Sequence, residues 1–199
     1  MINNYFNKII TPNSRILFVV LLGILFLDRT FTLVHFGFIF TDFDQTILWN
    51  GAIDYSRGIF HEPFFYGQAY NYMLESLLAV PLIWLGIPVN IALPIITSLV
   101  ALFPFVFLSV ILRRKKNYFW SSLSLIIPIL LPLEYSMLTC LPRGFIQAHL
   151  FIPFLFIPLL NPSNKRNITL FFIFSGLSFI MNQSSILLIL PLTIYLFLF

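Results

Sequence analysis

The sequence predicts an all-α protein, a polytopic transmembrane helical bundle with about six spans whose first outer loop carries juxtamembrane helices. Of the 199 residues, 59% are hydrophobic and only 9% are charged, whereas a soluble domain carries roughly 25% charged residues. Apolar runs such as 16–27, 91–112 and 151–160 are too numerous to be buried in one globular core. Basic residues stand in short clusters between these runs, as topology signals do in membrane proteins.

The first span is predicted from about Arg15 to Phe36. Lys8 and Arg15 precede its apolar core, and the positive-inside tendency then places the N-terminus in the cytoplasm. Asp28 and Arg29 follow that core where a signal peptide would have a small-residue cleavage site. We therefore expect an uncleaved signal anchor in the plasma membrane, the inner membrane of a bacterium.

Residues 37–89 form the predicted outer loop, and five of the seven acidic residues lie between Asp42 and Glu75. The apolar piece 72–87 reaches only about 24 Å as a helix, which is short of the roughly 30 Å of hydrocarbon in a bilayer. If it crossed, the basic run 113–116 would face outward. We therefore predict a juxtamembrane or re-entrant helix there, followed by a span from Asn90 to Leu112.

The remaining apolar runs predict four more crossings, over 118–133, 144–160, 168–181 and 186–199, with Lys165 and Arg166 in the cytoplasm. Prolines within these runs favour kinked helices around a cavity. The chain forms one predicted transmembrane domain, residues 1–199. Because it ends on apolar sequence without a polar tail, we expect it to be the N-terminal part of a longer protein.

Composition also excludes several functional classes. The single cysteine, Cys140, excludes an internal disulfide framework and a cysteine-based metal cluster. No Gly-rich phosphate-binding loop with a lysine occurs, so soluble ATP is not the expected energy source. The net charge of +4 is accounted for by the short clusters between spans, and no nucleic-acid partner is predicted.

Asp42 and Asp44 directly follow the first span and are the predicted catalytic residues. Two such carboxylates can share a divalent cation, Mg²⁺ or Mn²⁺, or one can act as a general base. The alternative is an ordinary acidic loop after a helix. His61 and Glu62 are further candidates for a metal site with this pair, and the alternative for them is a solvated polar loop.

Substrate-binding candidates come from the same predicted outer face. Glu75 is an acid within an apolar helix, where it either serves a site or makes a structural hydrogen bond. Tyr66 and Tyr70 could stack on sugar rings, although aromatic residues are common at any membrane interface. Arg57 and Arg143 are the candidate cations.

Three stretches, 44–58, 66–70 and 81–86, carry a family-like pattern. The first resembles the start of the multi-spanning GT-C glycosyltransferases, the group that includes protein O-mannosyltransferases and lipid A aminoarabinose transferases. Asp44, Ala52 and Gly58 match an acid after the first helix, an alanine eight positions on and a glycine six further. Gln45 departs from the usual Asp-Glu pair. The resemblance covers roughly residues 15 to 116.

This resemblance implies transfer of a sugar from a polyprenyl-phosphate donor to an acceptor on the outer face, with inversion. Asp44 would deprotonate the acceptor hydroxyl, Asp42 would stand in for the missing acid, and Arg143 would bind the leaving phosphate. Two alternatives stay open. One is a transporter or lipid flippase with Asp28, Arg29 and Glu75 along its path. The other is a non-catalytic membrane scaffold.

Overall fold

The structure is a computed structural model that describes residues 14–67, 71–159 and 164–198. The described residues are almost entirely helical, and the one β-type contact among them is an isolated bridge between Phe64 and Tyr72. The predicted all-α class is therefore confirmed.

Nine α-helices follow one another along the described chain. They are α1 (Ser14–Thr32), α2 (Phe43–Ser56), α3 (Leu74–Trp84), α4 (Val89–Arg114), α5 (Tyr118–Leu130), α6 (Leu133–Leu138), α7 (Ile152–Leu159), α8 (Lys165–Met181) and α9 (Ile186–Leu198). A π-helical turn, Leu33–Gly37, continues α1, and 3₁₀ turns cover Gln147–Leu150 and Gln183–Ser185.

Two helices are long and apolar enough to cross a membrane. These candidate spans are Ser14–Gly37, with 24 residues, and Val89–Arg114, with 26 residues. They match the predicted spans Arg15–Phe36 and Asn90–Leu112. Large apolar side chains of α1 are exposed, including Phe26 at 66% and Leu27 at 70%, so this surface fits a lipid environment better than water.

The two candidate spans run in opposite directions. Arg113, at the end of α4, donates a hydrogen bond from Nη1 to the backbone oxygen of Ser14, at the start of α1, over 2.8 Å. The guanidinium of Arg113 also lies over the ring of Phe18, 4.8 Å from its centroid. The basic run after α4 and the beginning of α1 therefore lie at the same end of the molecule, as the positive-inside argument predicts.

Helices α2 and α3 occupy the region between the two candidate spans. At 11 residues, α3 is among the short apolar helices and reaches only about 16 Å. The prediction of juxtamembrane helices between the first two spans is consistent with both lengths. Ser76 of α3 donates a hydrogen bond to the backbone oxygen of Leu48 in α2, and this buried contact joins the pair.

The four later predicted crossings correspond to shorter helices, so a six-span bundle is not confirmed. Predicted span 118–133 becomes α5, with 13 residues, and the short α6. Leu131, which precedes Pro132, has an extended backbone with ψ of 151°, because a proline disfavours the helical conformation of the residue before it. In the described part of 144–160, which ends at residue 159, the only α-helix is α7, with eight residues. Helices α8 and α9 have 17 and 13 residues.

Three buried apolar clusters hold the helices together. Leu48, Met73 and Leu93 belong to a cluster that joins α2, α3 and the start of α4. A second cluster joins α1, α4 and α5, and a third joins α7, α8 and α9. Helices α2 and α3 are thus packed onto one end of α4, and this packing fixes the position of the acidic residues on them.

Cysteine labelling tests the relative orientation of the ends. Lys115→Cys, in a Cys140→Ala background, is expected to react with a membrane-impermeant reagent only from the cytoplasmic side. Phe60→Cys, at an exposed position between α2 and α3, is expected to react only from outside. Labelling of both positions from one side would show that α3 crosses the membrane and would contradict the predicted topology.

Candidate functional site

The candidate site begins at the first turn of α2. Asp42 is the N-cap residue, with an extended backbone, and its Oδ1 accepts a hydrogen bond from the backbone N–H of Gln45 over 3.0 Å. A carboxylate at this position satisfies one of the N–H groups that the helix leaves unpaired. Asp42 therefore caps the N-terminus of α2, a structural role that was not predicted from the sequence.

Arg143 contacts the same carboxylate from 101 residues along the chain. Its Nε donates to Oδ2 of Asp42 over 2.6 Å, and its Nη2 also contacts Oδ2. The two side chains are 26% and 23% exposed. The structure thus brings Arg143 onto Oδ2 of Asp42, while Oδ1 accepts from the Gln45 amide.

Asp44 has different surroundings. It lies in the first turn of α2, two residues after Asp42, and residues at that spacing do not face each other on a helix. Its side chain is partly exposed, and within the described ranges it has no hydrogen bond or ion pair. Of the two predicted catalytic acids, Asp44 is the one left free to accept a proton.

Glu75 lies fully buried at the start of α3. Its Oε2 accepts a hydrogen bond from Thr97 Oγ1 of α4 over 2.5 Å, while Oε1 has no hydrogen-bond partner among the described residues. Burial raises the pKa of the carboxyl group to about 7, against the lowering effects of the Thr97 hydroxyl and the Gly144 backbone. The predicted hydrogen bond of Glu75 is therefore present.

Gly144 and Gln147 connect Glu75 to the ion pair. Gly144 directly follows Arg143, and its backbone interacts with the Glu75 carboxyl group. Gln147 is fully buried, its Oε1 accepts from the backbone N–H of Leu74 over 3.2 Å, and its Nε2 donates to the backbone oxygen of Tyr72. The segment around Arg143 is thus held against the beginning of α3.

Thr97, Gly144 and Gln147 were missed by the sequence reasoning. The signal that could have found Thr97 and Gln147 is the presence of polar side chains in otherwise apolar surroundings, because a buried polar group must find a partner. The signal for Gly144 was weaker, since a glycine after an arginine has no special meaning until its backbone conformation is known.

Gly144→Ala is expected to destabilise this region strongly. Gly144 has φ of +76°, and an added Cβ would lie 2.8 Å from the ring of Phe65, which is only 1% exposed. The left-handed conformation alone costs an alanine about 1–2 kcal/mol, and the clash should add about 1–3 kcal/mol. Thermal unfolding in detergent measures the sum.

Gly58→Ala is the matched control for that substitution. Gly58 has φ of +77°, and nothing lies within 4 Å of an added Cβ. It therefore carries the conformational cost without the clash, and its melting temperature should fall less than that of Gly144→Ala. Equal losses in the two variants would show that Phe65 is not fixed against Gly144.

A second polar cluster lies at the other end of α2. Asn50, Asp54, Arg57, His61 and Tyr66 line an open cavity of about 430 Å³. Oδ2 of Asp54 accepts a hydrogen bond from the Tyr66 hydroxyl over 2.9 Å and lies 3.8 Å from His61 Nε2. Burial and the hydrogen bond to Asp54 raise the pKa of Tyr66. Three substrate-binding or metal candidates thus share one cavity.

The two clusters are separate. Asp42 and Asp54 are 12 residues apart on one helix, which corresponds to about 18 Å along its axis. Glu62 accepts a hydrogen bond from the backbone of Gly67, near the second cluster. The expectation that Asp42, Asp44, His61 and Glu62 form one metal site is therefore not supported.

No group of three or more metal-ligating side chains occurs within 14–67, 71–159 and 164–198. Oδ1 of Asp42 already accepts from the Gln45 amide and Oδ2 from Arg143, and the positive charge of the guanidinium disfavours a second cation on this carboxylate. Tyr70, another predicted substrate-binding residue, lies outside the described residues.

Comparisons with known proteins do not place this chain in a family. No protein-family model matches the sequence. No curated protein matches it either. No solved structure matches the fold.

Proposed function

We propose that this chain is a membrane glycosyltransferase that moves a sugar from a polyprenyl-phosphate donor to an acceptor on the outer face. The observation that carries the proposal is the division of roles at the start of α2. Asp42 is held by Arg143, and Asp44, two residues further along the first turn of α2, has no hydrogen bond or ion pair among the described residues. A free carboxylate and a fixed cation at the same end of one helix are the two groups that an acid-base displacement on a phosphate-linked sugar requires.

In the proposed reaction, Asp44 accepts the proton of the acceptor hydroxyl. The hydroxyl oxygen forms a bond to the anomeric carbon as the bond from that carbon to the phosphate oxygen breaks, so the configuration inverts. Nε and Nη2 of Arg143 contact Asp42, whereas Nη1 has no contact among the described residues. Nη1 is therefore the group proposed to bind the departing phosphate.

The depth of this site suits a lipid-linked donor. Asp42 and Asp44 follow the candidate span Ser14–Gly37 within seven residues, which puts them near a membrane interface. The donor would approach from the bilayer with its sugar and phosphate at that level. The six-span, N-terminus-inside arrangement in the bacterial inner membrane belongs to the same proposal.

The cluster around Asp54 is the proposed acceptor or sugar subsite. Arg57, His61 and Tyr66 offer donors and an aromatic face around an open cavity, and these are common features of carbohydrate recognition. The transport alternative gains no support from the described residues, because Arg29 and Glu75 bond to different helices and Glu75 does not line the cavity that Arg29 lines.

The experiment that tests the proposal measures incorporation of labelled sugar from polyprenyl-phosphate-sugar by membranes that contain this chain. Membranes from the same host without the chain are the control. Incorporation that depends on the chain supports the proposal. Absence of transfer with hexosyl and pentosyl donors, from protein shown to be folded, would overturn it.

A further inference from the structure

We propose that a cavity between α1 and α4 binds the phosphate group of an anionic membrane lipid through Arg29 and Ser98. This inference does not depend on the proposed glycosyl transfer. It begins from Arg29, a charged residue of a candidate span that is only 4% exposed. A buried charge in apolar surroundings is costly unless it is paired.

Arg29 is only partly satisfied by the protein. Its Nη1 donates to the backbone oxygen of Ser136 over 3.0 Å and to Thr139 Oγ1 over 2.9 Å. Its Nε and Nη2 are buried and have no hydrogen-bond partner among the described residues. Because a guanidinium carries five N–H groups, three of them lack a protein acceptor in that part of the chain.

The counter-charge is also missing there. No carboxylate in the described ranges forms an ion pair with Arg29. Asp28 is the adjacent residue, and adjacent residues do not face each other on a helix. Asp28 does not line the cavity beside Arg29. The site therefore carries a positive charge that has no anionic partner among the described residues.

The cavity beside Arg29 has a volume of about 230 Å³. Its walls are mostly apolar and include Phe26, Leu33 and Leu99, and its one other buried unpaired polar atom is Ser98 Oγ of α4. Ser98 is 2% exposed. Arg29 and Ser98 thus line one pocket, and each carries a buried unpaired donor of the kind that a phosphate accepts from.

The apolar rim identifies the source of that phosphate. Phe26 and Leu99 are 66% and 52% exposed, so the cavity opens onto the apolar surface of the candidate spans. Arg29 lies eight residues before Gly37, about 12 Å from that end of the helix. A ligand with an anionic head and an acyl tail can pair with the buried charge and also pack against the apolar rim of the cavity. A free phosphate ion can only pair with the charge.

Thermal unfolding of the purified full chain in detergent tests this inference with three probes: phosphatidic acid, phosphatidylcholine and inorganic phosphate. We expect phosphatidic acid, at about 100 times its Kd, to raise the melting temperature by about 5–10 °C. Phosphatidylcholine and inorganic phosphate should have little effect. An equal shift with phosphatidylcholine, whose choline group balances the phosphate charge, would show that the site does not require an anionic head, and an equal shift with inorganic phosphate would show a free-anion site. Either result overturns the proposal.

Two variants locate the effect. Arg29→Leu should abolish the shift caused by phosphatidic acid. Ser98→Ala removes a hydroxyl without a protein partner in the described chain, so it should fold normally and weaken lipid binding about tenfold, the effect of losing one hydrogen bond to a charged group. Ser175→Ala is the matched control, because Ser175 Oγ is also buried and unpaired but lies on α8.

The outcomes separate cleanly. If Arg29→Leu folds and retains the shift, or if Ser98→Ala binds as tightly as Ser175→Ala, the assigned donors are wrong. If no probe shifts the melting temperature of the wild-type chain, the cavity holds water only and the proposal fails. Sugar-transfer activity is not a readout in this experiment, so its result is independent of the proposed function.

Discussion

Asp44→Asn is expected to reduce sugar transfer by roughly 10²–10⁴-fold, the usual contribution of a positioned general base. Asparagine has nearly the same shape but cannot accept the proton of the acceptor hydroxyl. Since the Asp44 side chain has no partner among the described residues, the substitution should leave the fold intact. The measurement is the rate of labelled-sugar incorporation, with thermal unfolding as the check on folding.

Asp42→Asn distinguishes the two acids. Its effect should appear in stability as well as in rate, because the substitution removes the charge that holds Arg143, although asparagine can still accept the N-cap hydrogen bond from Gln45. Glu134→Gln is the control, an exposed acid on the predicted outer face that should retain full activity. If Asp44→Asn transfers sugar as fast as Glu134→Gln, Asp44 is not the base.

Helix positions could be predicted where composition alone decides them. The spans over 14–37 and 89–114 follow from length and hydropathy, since no other solvent accommodates such runs. The later helices could not be assigned this way. Helix α5 ends at Leu130, before Pro132 and short of the end of the predicted crossing 118–133, and hydropathy does not register where a proline interrupts a helix.

The residue types of the candidate site could be predicted from the sequence, but which side chains contact one another could not. Acidic residues after the first span marked Asp42 and Asp44, and Arg143 was the candidate cation for the leaving phosphate. Which acid Arg143 contacts depends on the left-handed turn at Gly144 and on the anchoring of Gln147 to the start of α3. These are long-range contacts, and local sequence patterns carry no information about them.

A single expected site also became two for a reason that the sequence contains. Asp42 and His61 were candidates for one metal site because both lie in the predicted outer loop. Once residues 43–56 form a helix, Asp54, which lies beside His61, is 12 residues and about 18 Å from Asp42 along the helix axis. Treating that stretch as a helix from the beginning would have predicted the separation.

Glu75→Gln is expected to remove most of the pH dependence of stability between about pH 4.5 and 7. Burial raises the pKa of the Glu75 carboxyl to about 7 from an ordinary value of 4.5, so the folded state binds this proton more tightly than the unfolded chain. Stability is therefore fully present below pH 4.5 and is lost as the pH rises through 7. The loss corresponds to about 3 kcal/mol.

Thermal unfolding of the wild-type chain and of Glu75→Gln at pH 5, 6, 7 and 8 measures this effect. The wild-type melting temperature should fall across the series, and the variant should hold its value and be the more stable protein at pH 8. Glutamine can still accept from Thr97 through its amide oxygen, so the comparison isolates the charge. Glu134→Gln, whose carboxyl group is exposed, should keep the wild-type slope. If the slope persists in Glu75→Gln, another group causes it, and the Glu75 carboxyl titrates over nearly the same pH range in the folded and unfolded chains.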